Sequence, residues 1–468
     1  MAARDINRRS ETVRFGTLLA LLSVCFLMGG ASRSDVLGLI FLQPVAVICS
    51  IIFVLTPGPI RWEAVKVPLL LLGALATIVA AQLVPLPREI WSMLPARALF
   101  LPTAEVTGLE PIWRPISLAP ELTLESLVSL VVPLAVLIGV ASLPEEGTWR
   151  LLPFLLLAGL LSALLGIAQF GGGSSSPFYF YSITNFGSPV GFFSNRNHQA
   201  VLLAMLAPML ALWAGQAMGA KGGRVRQWVA LAFGFFLVPM ILATGSRAGL
   251  ALGGVGFLIA YLIWKRVSGW RPGTRWSKLL IPVVVAAGIG LFAVALMFSR
   301  DEAVRRMVGL SISEDSRADH LPVLLKIAGD FFPIGSGFGS FENLFKVYEP
   351  FESLQPQYLN HAHNDLIELV IVGGLPALLL LAGFLLAIAV RAQQVFRGHG
   401  GRRASGYAHL GLAMICMMLL SSLVDYPLRT PLMAVVFSIA CAWLFNPVES
   451  VGSRGRRASE TPLPKAGM

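Results

Sequence analysis

The chain has 468 residues, of which 56% are hydrophobic and only 13% charged, with a mean hydropathy of +0.73. An ordinary soluble domain carries roughly twice that charged fraction, and the polar sequence here is too sparse to cover so much apolar surface, which excludes a water-soluble globule. The net charge of +11 would suit nucleic acid or anionic lipid, but its distribution along the chain gives it another meaning.

Apolar blocks of about twenty residues, the length a helix needs to cross a hydrocarbon core of ~30 Å, recur throughout. They predict about twelve spans, near 15–31, 35–56, 65–86, 121–142, 151–170, 198–217, 227–245, 247–264, 279–299, 364–390, 407–425 and 430–446. With Arg4, Arg8, Arg9 and Arg14 in the cytoplasm, alternation puts Arg61, Lys66, Arg150, Lys221, Arg224 and Arg226 on the same side. Lys265, Arg266, Arg271, Arg275, Lys278, Arg391, Arg397, Arg402, Arg403 and the basic residues after 450 join them. The outer segments are then net acidic, as the positive-inside rule expects. The basic balance therefore reads as orientation, and nucleic acid is not expected as a partner.

Residues 1–31 also have the basic, apolar and small-residue order of a signal peptide, but the long run and the immediate second span favour a retained helix. Cys25, Cys49, Cys416 and Cys441 all fall in apolar blocks without CxxC spacing, which predicts buried thiols and neither a disulfide framework nor a zinc site. The expected fold class is all-α, a polytopic membrane helix bundle with both termini cytoplasmic. Residues 1–190 are N-terminal spans, 191–446 carry the polar motifs, and 447–468 form a cytoplasmic tail without fixed structure.

Cytoplasmic connections are short, whereas outer loops occupy about 87–120, 171–197 and 300–362. Loops this long in a compact protein tend to be functional or disordered. The longest is patterned: HLPVLLKIAGDF at 320–331 has apolar positions at helical spacing, Phe341, Leu344, Phe345 and Tyr348 repeat them, and PIGSGFGS lies between as a turn. Two amphipathic helices over the outer mouth are predicted. A transporter or flippase of lipid-linked saccharide is the competing class. Transporters are commonly built from repeats with ionisable groups at mid-membrane, whereas no repeat is evident here and the charges sit at span ends.

Four outer motifs carry candidate chemistry. GFFSNRNH (191–198) offers Arg196 and His198, TGSRAG (244–249) holds Arg247 in a tight turn, and SRADH (316–320) puts Arg317 and His320 on one helical face. NHAHNDLIELVIVGGLP (360–376) clusters His361, His363, Asn364 and Asp365 where a span begins. Imidazoles with Asp365 and Glu368 would also suit zinc or manganese. The spacing is not a standard zinc spacing, however, and arginines oppose a cation, so no metal or other cofactor is expected. A helix-capping role for the imidazoles and a headgroup-anchoring role for Arg196 remain open. Guanidinium groups bind phosphate oxygens in pairs and stay charged, so Arg196, Arg247 and Arg317 together suit a diphosphate, with His363 as base for a sugar hydroxyl.

With DYPLRTP at 425–431, these stretches resemble, in order, the O-antigen ligase and polymerase superfamily, multi-span bacterial enzymes with one large periplasmic loop. The resemblance covers about 190–431. It implies an inner-membrane enzyme that, without metal, transfers an undecaprenyl-diphosphate-linked oligosaccharide at the periplasmic face, inverting the anomeric carbon. It implies a catalytic role for His363, the loop-end base, and for Asn364 beside it. Arg247 and Arg317 would hold the diphosphate, with Arg196 in support. His198, His320, His361, Asp365 and Arg429 are acceptor-side or supporting candidates. The acceptor would be a second glycan, as in polymerases, lipid A core, as in ligases, or a protein. DYPLRTP looks closer to exopolysaccharide polymerases.

Overall fold

A computed structural model describes residues 2–33, 36–108, 112–219, 221–268, 290, 316–351, 354, 359–397 and 402–447. The predicted span at 279–299 apart from residue 290, the start of the longest loop and the tail after 447 lie outside the described residues.

The chain is helical, as expected. It opens with α1 (Ala2–Met28), α2 (Leu37–Leu55) and α3 (Lys66–Ala81), then α4 (Pro120–Ser129) running into α5 (Val131–Ala141). There follow α6 (Leu151–Gly171), α7 (Arg196–Gly215), α8 (Gly223–Ala243) and α9 (Arg247–Ser268). The outer helices are α10 (Ser316–Phe331) and α11 (Phe341–Tyr348), and the chain closes with α12 (Asp365–Phe396), α13 (Arg402–Ser422) and α14 (Pro431–Phe445). Among the described residues, nine helical segments are long and apolar enough to cross a membrane, with α3 and α14 shorter but equally apolar. The only strands described are two-residue β1 (Pro85–Leu86) and β2 (Arg114–Pro115), paired antiparallel.

One apolar core runs through the bundle from Leu18 of α1 to Phe445 of α14. At its centre stands α7, almost wholly buried, with α9 packed parallel along it. That approach depends on small residues: a Cβ on Gly249 would collide with Ala200, and one on Gly256 would stand 2.5 Å from the Ala204 carbonyl. Small residues let helix backbones approach where lipid supplies no hydrophobic drive. Cys25, Cys49 and Cys441 are buried as predicted, whereas Cys416 faces outward from α13, because helical spacing turns it away from the buried Met414, Ile415 and Met417.

The bundle has two unlike ends. Alternation puts the described basic residues read as cytoplasmic at one end, where several cap helix termini. Arg14 donates to the carbonyls of Thr56, Gly58, Pro59 and Ser142, and Arg391 to those of Leu444 and Asn446. Cations suit helix C-termini because the last carbonyls are unsatisfied there and carry partial negative charge.

At the other end α10 and α11 form the predicted amphipathic pair. Leu324, Ile327, Phe331, Phe341, Leu344 and Phe345 bury one face in a second core with Val79 of α3 and Ile371 and Val372 of α12. The stretch read as a simple turn, 333–340, does more. It fills a break in α12 at Gly374, whose φ of +58° and ψ of −149° interrupt the helix. Ser336 and Gly337 donate to the Ile371 and Val372 carbonyls at 2.9 and 3.0 Å, and Leu375 N–H donates to the Pro333 carbonyl at 2.8 Å. A side chain on Gly374 would strike Pro333.

The N-terminal third grips this loop from the opposite side. Gln82 accepts from Phe338 N–H at 3.0 Å and donates to the Val372 carbonyl at 2.8 Å. Arg97, fully buried between Trp91 and Phe331, donates to the carbonyls of Pro95, Ile116 and Gly335, and burial pulls its pKa down to about 10. Removing this cation leaves buried carbonyls unpaired, so Arg97→Ala is expected to destabilise the purified protein by about 2–3 kcal/mol. Thermal unfolding in detergent checks this, and an unchanged midpoint would contradict the clamp.

Candidate functional site

The site begins where α7 and α9 start. Gln169 of α6 bonds both backbone groups of Gly191, donating at 2.9 Å and accepting at 2.7 Å, and Ser162 joins Phe192 N–H to the Gln199 amide oxygen. Asn185 accepts from Arg196 N–H at 2.9 Å, and Asn195 caps α7 by accepting from Asn197 N–H at 2.8 Å. Arg196 is thereby the first residue of α7. The TGSRAG turn makes Arg247 the first residue of the parallel α9. The two arginines rise side by side from neighbouring helix N-termini, and the Arg196 guanidinium comes within 3.5 Å of where a Cβ on Gly245 would stand. Helix N-termini add partial positive charge and favour anions.

Two residues into α7, buried His198 faces the connection between α13 and α14. Tyr426, in that connection, meets three imidazoles: His198 edge-on at 5.2 Å, His361 at 4.5 Å and His363 at 4.9 Å between ring centres. Asp425 lies among them, with Oδ1 3.3 Å from His363 Nδ1 and 4.0 Å from His198 Nε2. His363 adopts a left-handed φ of +51°, rare for a residue with a side chain, and is 17% exposed, so solvent or a substrate can reach it. An Nδ1–H directed at Asp425 leaves Nε2 as the ring's free acceptor.

Asn364 caps α12 through Ile367 N–H and ties it to α13 by donating to the Leu423 carbonyl at 2.8 Å. Behind it runs a chain of alternating charge. Asp365 accepts from Ser422 at 2.8 Å and from Arg429 Nε at 3.1 Å; Arg429 Nη1 lies 3.3 Å from Glu368, which meets His361 Nδ1 at 3.0 Å. Burial lowers the Arg429 pKa, but the charges of Glu368 and Asp365 outweigh it and hold the guanidinium above its ordinary value. Arg429 is thus a fixed cation engaged by two carboxylates.

The structure therefore brings together His198, His361, His363, Asn364, Asp365 and Arg429, with Arg196 and Arg247 at the adjoining helix starts. His320 sits elsewhere, buried in the outer-helix core edge-on to Phe345 at 5.2 Å. Arg317 occupies the first turn of α10, and its side chain lies outside the described residues. Among the described residues, no three His, Cys, Asp or Glu side chains converge as a metal site.

Residues 231–382 match the O-antigen ligase family. No curated protein matches the chain. The family match supports the resemblance read from the sequence and, in general terms, a multi-pass membrane protein of O-antigen ligase type with a glycosyl-transfer activity. It takes in Arg247, the outer helices and the His361–Glu368 stretch. Arg196, His198 and the Asp425–Arg429 stretch lie outside it and reach the site through packing.

Asp425 and Tyr426 carry no expected role within DYPLRTP, although an acid directly after an apolar run demands a partner. Because Arg429 balances two carboxylates that are otherwise buried, Arg429→Leu is expected to destabilise the protein by about 3–5 kcal/mol. A partial recovery should follow when Glu368→Gln is added, as thermal unfolding of the single and double variants would show. Additive losses would contradict the coupling.

Proposed function

We propose that the chain transfers a glycan from undecaprenyl diphosphate to an acceptor hydroxyl at the periplasmic face of the bacterial inner membrane, as an O-antigen ligase or polysaccharide polymerase. The observation that carries this reading is the pairing of His363 with Asp425 beside two arginines on parallel helix N-termini.

In the proposed reaction His363 Nε2 takes the proton of the acceptor hydroxyl as its oxygen attacks the anomeric carbon. The bond from that carbon to the diphosphate breaks on the opposite side, so the anomeric configuration inverts. Arg196 and Arg247, with Arg317 at the start of α10, take up the charge of the departing diphosphate. Preorganised cations aimed at a developing anion stabilise a transition state strongly, and a diphosphate is already a good leaving group. Asp425 holds the imidazole in the tautomer that accepts at Nε2 and stabilises the imidazolium that forms. Asn364 fixes the loop from which His363 projects. Polymerisation, ligation to lipid A core and transfer to protein differ only in the acceptor hydroxyl.

Purified protein given the lipid-linked repeat alone should lengthen it if it is a polymerase, and should act only after lipid A core is added if it is a ligase. His363→Ala and Arg247→Lys are expected to abolish transfer at normal membrane abundance, and Asp425→Asn to slow it by about 10²–10⁴. Full activity in any of the three contradicts the proposed roles. Repeats that accumulate inside cells lacking the protein, instead of outside, would favour the exporter.

A further inference from the structure

The opposite end of the bundle carries a basic and aromatic cluster that the glycan reading does not use. Arg403, at the start of α13, places its guanidinium 4.5 Å over the Trp149 ring. Trp149 stacks on Tyr407 at 5.8 Å and 9°, Tyr407 donates to the Trp149 carbonyl at 3.0 Å, and Trp443 packs against Tyr407 at 5.2 Å. Arg226, at the start of α8, sits 5.4 Å over Trp213 at the end of α7, and a Cβ on Gly406, next to Tyr407, would meet Leu212 and Gln216 at that same helix end. Arg266 lies in the last turn of α9, which packs against α13 and whose Val267 would stand 3.4 Å from a Cβ on the same Gly406. All three arginines are exposed.

Several other basic residues at this end are occupied. Arg14 and Arg391 cap helices, Arg61 donates to Asn446, Arg150 pairs with Glu11 and Lys66 with Glu63. Among the described residues no carboxylate pairs with Arg226, Arg266 or Arg403. Three cations from three helices, two of them set over indole faces, thus gather at the level where a spanning bundle meets headgroups. Orientation alone asks only for charge on that side and does not ask for convergence.

We infer that Arg226 and Arg403, flanked by Arg266, form a binding site for the phosphodiester headgroup of an anionic glycerophospholipid in the leaflet facing away from the histidine cluster. Guanidinium groups match phosphate oxygens in paired hydrogen bonds, indole faces hold the guanidiniums in place, and Trp and Tyr settle at the headgroup level. Basic pockets between spanning helices are a recurrent form of anionic-lipid recognition. The inference does not depend on the glycan reading.

The test is native mass spectrometry of the full chain from nanodiscs of phosphatidylcholine with a minor fraction of phosphatidylglycerol. The wild type should keep phosphatidylglycerol in preference to phosphatidylcholine. Arg226→Gln/Arg403→Gln should keep at least about tenfold less, taking roughly a factor of five for each lost charge, while Lys66→Gln keeps it unchanged. Thermal midpoints equal to wild type confirm that the variants are folded. Equal retention of both lipids, or of phosphatidylglycerol by wild type and double variant, overturns the inference. So does loss of the retained lipid to millimolar inorganic phosphate, which would mark a site for free phosphate.

Discussion

A break in a membrane helix frees backbone groups that lipid cannot satisfy, and the arrangement of this protein's outer end follows from one such break. At Gly374 the helix α12 changes direction, and the groups released there bond to the 333–340 loop. The loop is in turn held by Gln82 and Arg97, residues from a part of the chain with no motif of its own. The first turns of α12 are thereby fixed against α13, and these turns carry Asn364, Asp365 and Glu368. The imidazole pair just before them therefore has a fixed place to stand.

The polar groups around that place are economical in number and connected. Tyr426 is the common wall for three imidazoles, and Asp425 is shared between His363 and His198. A second branch, from Asp365 through Arg429 and Glu368 to His361, keeps opposite charges adjacent in a setting where an unbalanced one would be severely penalised. Arg429 belongs to this branch as a structural cation. The two arginines left at the rim, Arg196 and Arg247, stand on the parallel helices α7 and α9, whose close approach depends on Gly249 and Gly256. Packing of small residues deep in the bundle thus sets the spacing of cations at its mouth.

Much of the fold was legible in the sequence because it rests on local quantities. Span length follows from apolar run length, and the outer helices α10 and α11 follow from the spacing of Leu324, Ile327, Phe341 and Phe345. The positions of Arg247 and Asn364 at helix starts were legible from a tight turn and from the onset of an apolar run. What was not legible was whatever depended on distant segments meeting. Asp425 lies about sixty residues beyond His363 and reaches it only because α13 returns antiparallel to α12. Gln82 lies in a predicted span and Arg97 in an outer loop without a motif, and nothing local shows that both meet the Gly-rich turn or that this turn fills a helix break. The outward turn of Cys416 was equally hidden, since hydrophobic blocks do not reveal which face meets lipid.

The central proposal is that a diphosphate leaves toward Arg196 and Arg247 while the acceptor gives its proton to His363. The most direct measurement is an experimental structure with a non-reactive lipid-linked donor bound. The diphosphate should contact both guanidiniums, with the anomeric carbon open on its far side to an acceptor oxygen about 3–3.5 Å away, within hydrogen-bond reach of His363 Nε2. A diphosphate seated away from these arginines, or a donor whose anomeric carbon is screened from His363, would contradict it.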